Sequence, residues 1–215
     1  MNAPEVTVID YEAGNLLSVQ RGLEYCGANV ILTADPDLIL SSKRVVLPGV
    51  GAFPDAMQAL ERLGLVATIH KISERKIPLL GICLGMQLLL EESEEFGITA
   101  GLGLIPGRVI AVPNVSASGH KQKIPHIGWS ELQMASKIIG WKQTLLEDNA
   151  PGDAAYFVHS FMAVPNNPAH RIADCLYGGH RIAAVVGREQ IMGCQFHPEK
   201  SGAVGLKILR RFVFQ

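Results

Sequence analysis

Short apolar runs alternate with helix-patterned segments along the first half of the chain, and this alternation constrains the fold more than any other feature. Val6–Ile9 (VTVI) is a short apolar run with β-branched residues, and Ala28–Leu32, Arg44–Leu47 and Ile77–Ile82 read as further short strands. Leu16–Tyr25 spaces its apolar residues helically and stops before Gly27. Phe53–Leu65 and Val66–Glu74 read as one helix or two, and Leu84–Glu92 as another. Strands apolar on both faces and joined by helices predict a parallel sheet covered on both sides. From about Gly107 the pattern changes to β-like runs broken by Gly, Pro and Asn: Arg108–Val112, Ala155–Val158, His170–Cys175, Ile182–Val186 and Ile191–Phe196. These suggest antiparallel pairing. Gly202–Phe214 reads as a closing helix, and polar Pro113–Lys123 as a surface loop. The expected fold is α/β: a mostly parallel central sheet flanked by helices, with a smaller antiparallel β portion in the second half. Residues 1–215 are expected to form a single domain.

Bulk properties narrow the function. A formal net charge of −1 gives no electrostatic case for nucleic acid or an anionic membrane as partner. The N-terminus lacks the basic and apolar regions of a signal peptide, and no apolar run approaches the ~20 residues of a membrane span. Cys26, Cys83, Cys175 and Cys194 show no CxxC spacing, so neither a zinc site nor a disulfide framework is suggested. A reducing cytoplasm fits this cysteine usage, and no metal or cofactor is expected.

The stretch Gly81–Gln87 (GICLGMQ) places a cysteine between two glycines where a strand gives way to a helix. This is the pattern of a nucleophile elbow, whose apex residue is strained and exposed. Residues two before and two after the apex crowd one another, so glycine is wanted at Gly81 and Gly85. The helix start favours thiolate over thiol, and the Leu84 N–H points where an oxyanion could form. A cysteine nucleophile needs a base. Cys194-Gln195-Phe196-His197-Pro198-Glu199 puts a histidine at a strand end, where catalytic groups collect in open α/β sheets. Pro198 stiffens the link, letting Glu199 fold back on one ring nitrogen while the other faces Cys83. Pro48-Gly49-Val50-Gly51 offers lightly covered backbone at the end of the third strand, and one of its N–H groups could join that of Leu84 in an oxyanion hole.

GICLGMQ, QFHPEKS and PGVGAF together resemble the class I (triad-type) glutamine amidotransferases. YEAGNL, IPHIGW and YFVHSF extend the resemblance over nearly the whole chain, and within the class it is close to the glutaminase subunits of imidazole glycerol phosphate synthase. The resemblance implies that Cys83 attacks the side-chain amide of glutamine, His197 shuttles the proton and Glu199 orients His197. It implies an oxyanion hole from Gly49, Val50, Gly51 and Leu84. Gln87, Glu95, Ser160 and Phe161 match substrate-fixing positions, the last two through backbone, although the family often has tyrosine at Phe161. Glu91–Glu95 otherwise reads as a solvated helix end. The implied partner is a (β/α)8-barrel cyclase that consumes the ammonia within a heterodimer, facing Asn15, Tyr156 and Lys200. His126 and Trp129, near that face, read as structural.

Three other readings compete. A paralogous amidotransferase would feed a different synthase, such as one for surface-sugar amidation. An α/β-hydrolase would order its residues nucleophile, acid, histidine, whereas here the acid follows the histidine. A non-catalytic binding subunit would lack at least one of Cys83, His197 and Glu199. A glycine loop can also turn its peptides at low cost, which leads to the expectation that glutaminase activity is low alone and rises when the cyclase holds its ligand.

Overall fold

A computed structural model describes residues 3–12, 14–136 and 139–215. The chain runs β1 (Glu5–Ile9), α1 (Leu16–Tyr25), β2 (Asn29–Thr33), α2 (Pro36–Ser41), β3 (Val45–Leu47), α3 (Phe53–Arg62), α4 (Leu65–Glu74) and β4 (Leu79–Ile82). Then come α5 (Leu84–Leu88), β5 (Glu92–Ser93), β6 (Thr99–Ala100), β7 (Gly107–Ala111), β8 (His126–Glu131) and β9 (Gln133–Met134). The last elements are β10 (Ala154–His159), β11 (Phe161–Pro165), β12 (Arg171–Tyr177), β13 (His180–Arg188), β14 (Ile191–Cys194) and α6 (Gly202–Phe214).

The main sheet has the order β2-β1-β3-β4-β14-β13-β12-β9. Its strands β2, β1, β3, β4 and β14 are parallel, and β13, β12 and β9 continue it antiparallel. Alternate strand residues supply two cores. Val6, Val8, Val46, Leu80 and Ile82 pack on one face with Leu23 of α1 and Ile208, Leu209 and Phe212 of α6. Ile9, Val45, Leu47 and Leu79 pack on the other with Ile39, Leu60 and Ile69 from α2, α3 and α4. Covering both faces removes the apolar strands from water, at roughly 25 cal/mol per Å² buried. Two smaller sheets stand beside it: β10 with β8, and β11-β7-β5-β6.

The α/β reading holds, with corrections. Residues 53–74 form two helices, separated at Gly64 with φ 69°. Helix α2 went unread, although Asp35 caps it and Pro36 starts it. The helix expected over 84–92 stops at Leu88, because Glu92 and Ser93 pair with Arg108 and Val109 of β7. Glu91–Glu95 is therefore no helix end. The run Ile191–Phe196 is shorter than expected, and it pairs antiparallel with β13 but parallel with β4. Strands β5, β6, β8, β9 and β11 carried too little pattern to be anticipated. The loop at 113–123 is exposed over much of its length, as expected, and closes on a Val115–Lys121 bridge.

Candidate active site

Three neighbouring parallel strands end at one edge of the sheet. Register pairs Leu47 of β3 with Gly81 of β4, and Ile82 with Cys194 of β14. The segments after them therefore emerge side by side: Pro48–Gly51, Cys83–Leu84 and Gln195–Glu199. This is where ligands bind open α/β sheets.

Cys83 stands at the apex of the β4–α5 turn with φ 55° and ψ −110°. That conformation costs a non-glycine residue of order 1–3 kcal/mol and persists only if its surroundings impose it. They do. A Cβ on Gly81 would lie 2.6 Å from the Gly85 carbonyl oxygen, and one on Gly85 would lie 1.9 Å from that of Leu47. The Cys83 N–H is tied to the Cys194 carbonyl at 2.8 Å. The expected crowding of the two glycines is what the structure contains.

Behind Cys83, His197 Nδ1 meets Glu199 Oε1 at 2.7 Å, with both side chains all but fully buried. That leaves Nε2 to meet Cys83. Burial opposes a charged ring, but hydrogen bonds and charge from Cys83 and Glu199 outweigh it and push the His197 pKa up to about 9. The His197 N–H donates to the Tyr156 carbonyl at 2.9 Å, and Ser201 Oγ donates to the His197 carbonyl at 2.6 Å. Backbone on both sides of the ring is thus fixed.

The loop after β3 is arranged differently. The Leu84 N–H donates to the Gly49 carbonyl at 3.3 Å. The peptide following Gly49 thus presents its oxygen to the donor that should receive an oxyanion, and a hole built from Gly49, Val50, Gly51 and Leu84 is closed in this structure. The loop is held upstream, where buried Tyr11 donates its hydroxyl to the Pro48 carbonyl at 2.7 Å.

A cavity of about 360 Å³ opens onto these groups. Of the anticipated residues, Cys83, His197, Leu84, Val50, Gly51, Gln87, Glu95, Ser160, Phe161 and Lys200 line it. Gly49 and Glu199 stand behind the lining. Asn15 precedes α1 without capping it, and Tyr156 is half-buried with its ring edge-on to Trp129. Trp129 is 58 % exposed, so its role is not core packing.

Several of these groups already have partners. Glu95 Oε2 accepts the Phe53 N–H at 2.8 Å, so its carboxylate caps the start of α3. Gln87 Nε2 donates to the Phe161 carbonyl and to Gln195 Oε1, each at 3.0 Å. The Ser160 carbonyl accepts from the Val112 N–H at 2.8 Å. Gln87 therefore offers a ligand its carbonyl oxygen, and the carbonyls of Ser160 and Phe161 are already engaged.

The pattern in residues 7–215 matches the glutamine amidotransferase class-I family. This chain belongs to that family. The amidotransferase is 50 % identical over 208 residues to imidazole glycerol phosphate synthase subunit HisH 1 of Legionella pneumophila (strain Lens), covering 97 % of this chain and 98 % of that one. It is 44 % identical over 209 residues to the HisH subunit of Geobacter sulfurreducens, covering 97 % of both. The fold resembles a glutamine amidotransferase crystal structure, with TM-score 0.71 at 16 % identity over 96 % of both chains. It also resembles PurLQS from Thermotoga maritima, with TM-score 0.69 at 20 % identity over 98 % and 97 % of the two chains.

Sequence reasoning missed further groups in this amidotransferase. Gln195 and His159 are buried against the site: Gln195 Nε2 reaches Cys83 Sγ at 3.8 Å, and His159 lines the cavity. Tyr11 lay inside the quoted YEAGNL motif without a role. A polar residue buried at a strand end gives no periodic signal, so only the fold exposes these three.

Proposed function

We propose that this chain hydrolyses glutamine to glutamate and ammonia and passes the ammonia to the cyclase subunit of imidazole glycerol phosphate synthase, in histidine biosynthesis. The observation that carries the reading is the convergence of Cys83, His197 and a donor loop on one cavity. The close likeness to HisH subunits over the whole chain selects the pathway.

In this reading the Cys83 thiolate attacks the side-chain amide carbon of glutamine. The carbonyl π pair moves onto oxygen, which the Leu84 N–H and an N–H of the 49–51 loop receive. The imidazolium of His197 protonates the nitrogen, the C–N bond breaks, and ammonia leaves a γ-glutamyl thioester. Water then adds as His197 takes its proton, and the C–S bond breaks to release glutamate. Glu199 holds the ring in the orientation both steps need. Glu95 supplies a negative charge for the substrate α-ammonium, beside the oxygen already bound to Phe53.

The partner is a (β/α)8-barrel cyclase, and the heterodimer interface involves Asn15, Tyr156 and Lys200, with exposed Trp129 beside Tyr156. The complex works in a reducing cytoplasm. Among the described residues, no helix is long and apolar enough to cross a membrane. The Leu84–Gly49 hydrogen bond supports a resting state of low activity. The peptide after Gly49 must turn before the hole can form, and one hole donor is typically worth roughly 10²–10³ in rate.

The experiment measures glutamate release from glutamine by the chain alone and with the cyclase plus its ribonucleotide substrate, with Cys83→Ala alongside. Strong stimulation that is lost in the variant is the expected result. Hydrolysis that is independent of Cys83, or unchanged by the liganded cyclase, overturns the corresponding half of the reading.

A further inference from the structure

The sulfur of Cys83 has a neighbour that the triad does not account for. Gln195, with no exposed surface, has Nε2 3.8 Å from Cys83 Sγ in donor geometry. An amide can be turned end for end, so its orientation has to be derived from its surroundings. A backbone carbonyl supplies the fixed point. The Phe161 oxygen can only accept, and it faces Gln87 at 3.0 Å, so the Gln87 atom there is the amide nitrogen. That same nitrogen lies 3.0 Å from the Gln195 side chain, which must answer with its oxygen. The Gln195 nitrogen is then left for Cys83. Turning Gln195 over would set N–H against N–H at Gln87 and leave buried donors unmatched, a cost of about 1–3 kcal/mol each.

The far end of the network is fixed too. The Phe161 oxygen also accepts from His159 Nδ1 at 2.8 Å. His159 Nε2 therefore accepts from His126 Nδ1 at 2.9 Å, and His126 Nε2 from Ser130 Oγ at 3.0 Å. Burial lowers both imidazole pKa values to about 4, which keeps the rings neutral and the donor directions constant.

The thiol and thiolate respond differently to these neighbours. As a thiol, Cys83 has the Val158 carbonyl as acceptor at 3.9 Å. Ionisation removes that donor and leaves an anion, to which an N–H donor binds about twice as strongly as to a neutral group. We infer that Gln195 is a catalytic residue that holds Cys83 Sγ through an N–H···S bond and favours its thiolate, and that Gln87 is a positioning residue that orients Gln195. The inference rests on Cys83 being the nucleophile.

The test is alkylation of Cys83 by iodoacetamide, resolved by peptide mass spectrometry and followed across pH, in the full chain and in Gln195→Met and Gln87→Met. Gln195→Met keeps the length of the side chain and removes the donor. Its midpoint for Cys83 alkylation is expected to rise by about one pH unit, a roughly tenfold slower reaction below the midpoint. Gln87→Met, which frees the Gln195 amide to turn, is expected to shift the same way by less. A profile superimposable on wild type in folded Gln195→Met overturns the inference. If that variant does not fold, an unshifted Gln87→Met profile overturns it. The assay needs no glutamine turnover. A shifted profile in a chain that does not hydrolyse glutamine would therefore support this inference while the glutaminase reading fell.

Discussion

The turn that carries Cys83 and the loop that follows β3 lie side by side, yet they are built to opposite ends. Away from the cavity the turn at Cys83 is filled: a methyl group on Gly81 would strike the Gly85 carbonyl, and one on Gly85 the Leu47 carbonyl. Around Gly51, at φ 105°, an added Cβ would meet nothing within 4 Å, and the neighbouring Val50 is 44 % exposed. Packing holds Cys83 in its strained conformation. Gly49 itself is packed, since a Cβ there would lie 2.7 Å from the Tyr11 hydroxyl and 2.9 Å from the Gly85 nitrogen, so the open space of the loop lies on its Val50–Gly51 side. On the function proposed above, the contrast teaches that the two halves of one reaction centre are prepared separately: Cys83 is set in the folded chain, and the oxyanion donor has to be turned into place.

The contrast can be broken or sharpened by substitution. The largest effect is expected from Cys83→Ala, with glutamate release under activating conditions falling on the order of 10⁴-fold or more, as for other triad nucleophiles. Next comes Gly85→Ala, whose Cβ would lie 1.9 Å from the Leu47 oxygen. Moving a central strand should cost about 3 kcal/mol or more in chemical denaturation. Glu199→Gln removes one of the two partners, after Cys83, that together raise the His197 pKa from 6.5 to about 9. Its imidazolium will lose its proton at lower pH, so the alkaline limb of kcat/KM should move down while the protein stays folded. The smallest effect separates strain from chemistry. Cys83→Gly abolishes turnover but relieves the positive φ, and it should raise stability by about 1 kcal/mol in the same denaturation assay.

Legibility in the sequence followed the range of the physics involved. The elbow could be read because its requirement is local: two glycines at a fixed distance from one cysteine answer a clash within a single turn. The alternation of β1, α1, β2 and β3 was legible for the same reason, since burial on both faces writes itself into consecutive residues. The start of α2 at Asp35-Pro36 was equally local and was overlooked. Strand β5 could not be read, because a two-residue Glu-Ser strand exists only through its pairing with β7, sixteen positions away. The same partner turned the expected helix end at Glu91–Glu95 into a strand held between β7 and β6, after which Glu95 caps α3. The closed state of the loop was beyond reach for another reason: residue identity does not encode which way a peptide after glycine points. Gln195 was hidden in plain view, since its neighbours in QFHPEKS carry the recognisable chemistry.

The measurement that bears most directly on a ready nucleophile beside an unready hole follows two rates on the same samples. Alkylation of Cys83 needs the thiolate but no oxyanion donor, whereas glutamine turnover needs both. Each is measured for the chain alone and with the cyclase and its ligand. The account predicts that turnover rises by roughly 10²–10³ while the alkylation rate does not rise with it. Alkylation that rises in parallel with turnover would place the switch at Cys83 itself and contradict the account.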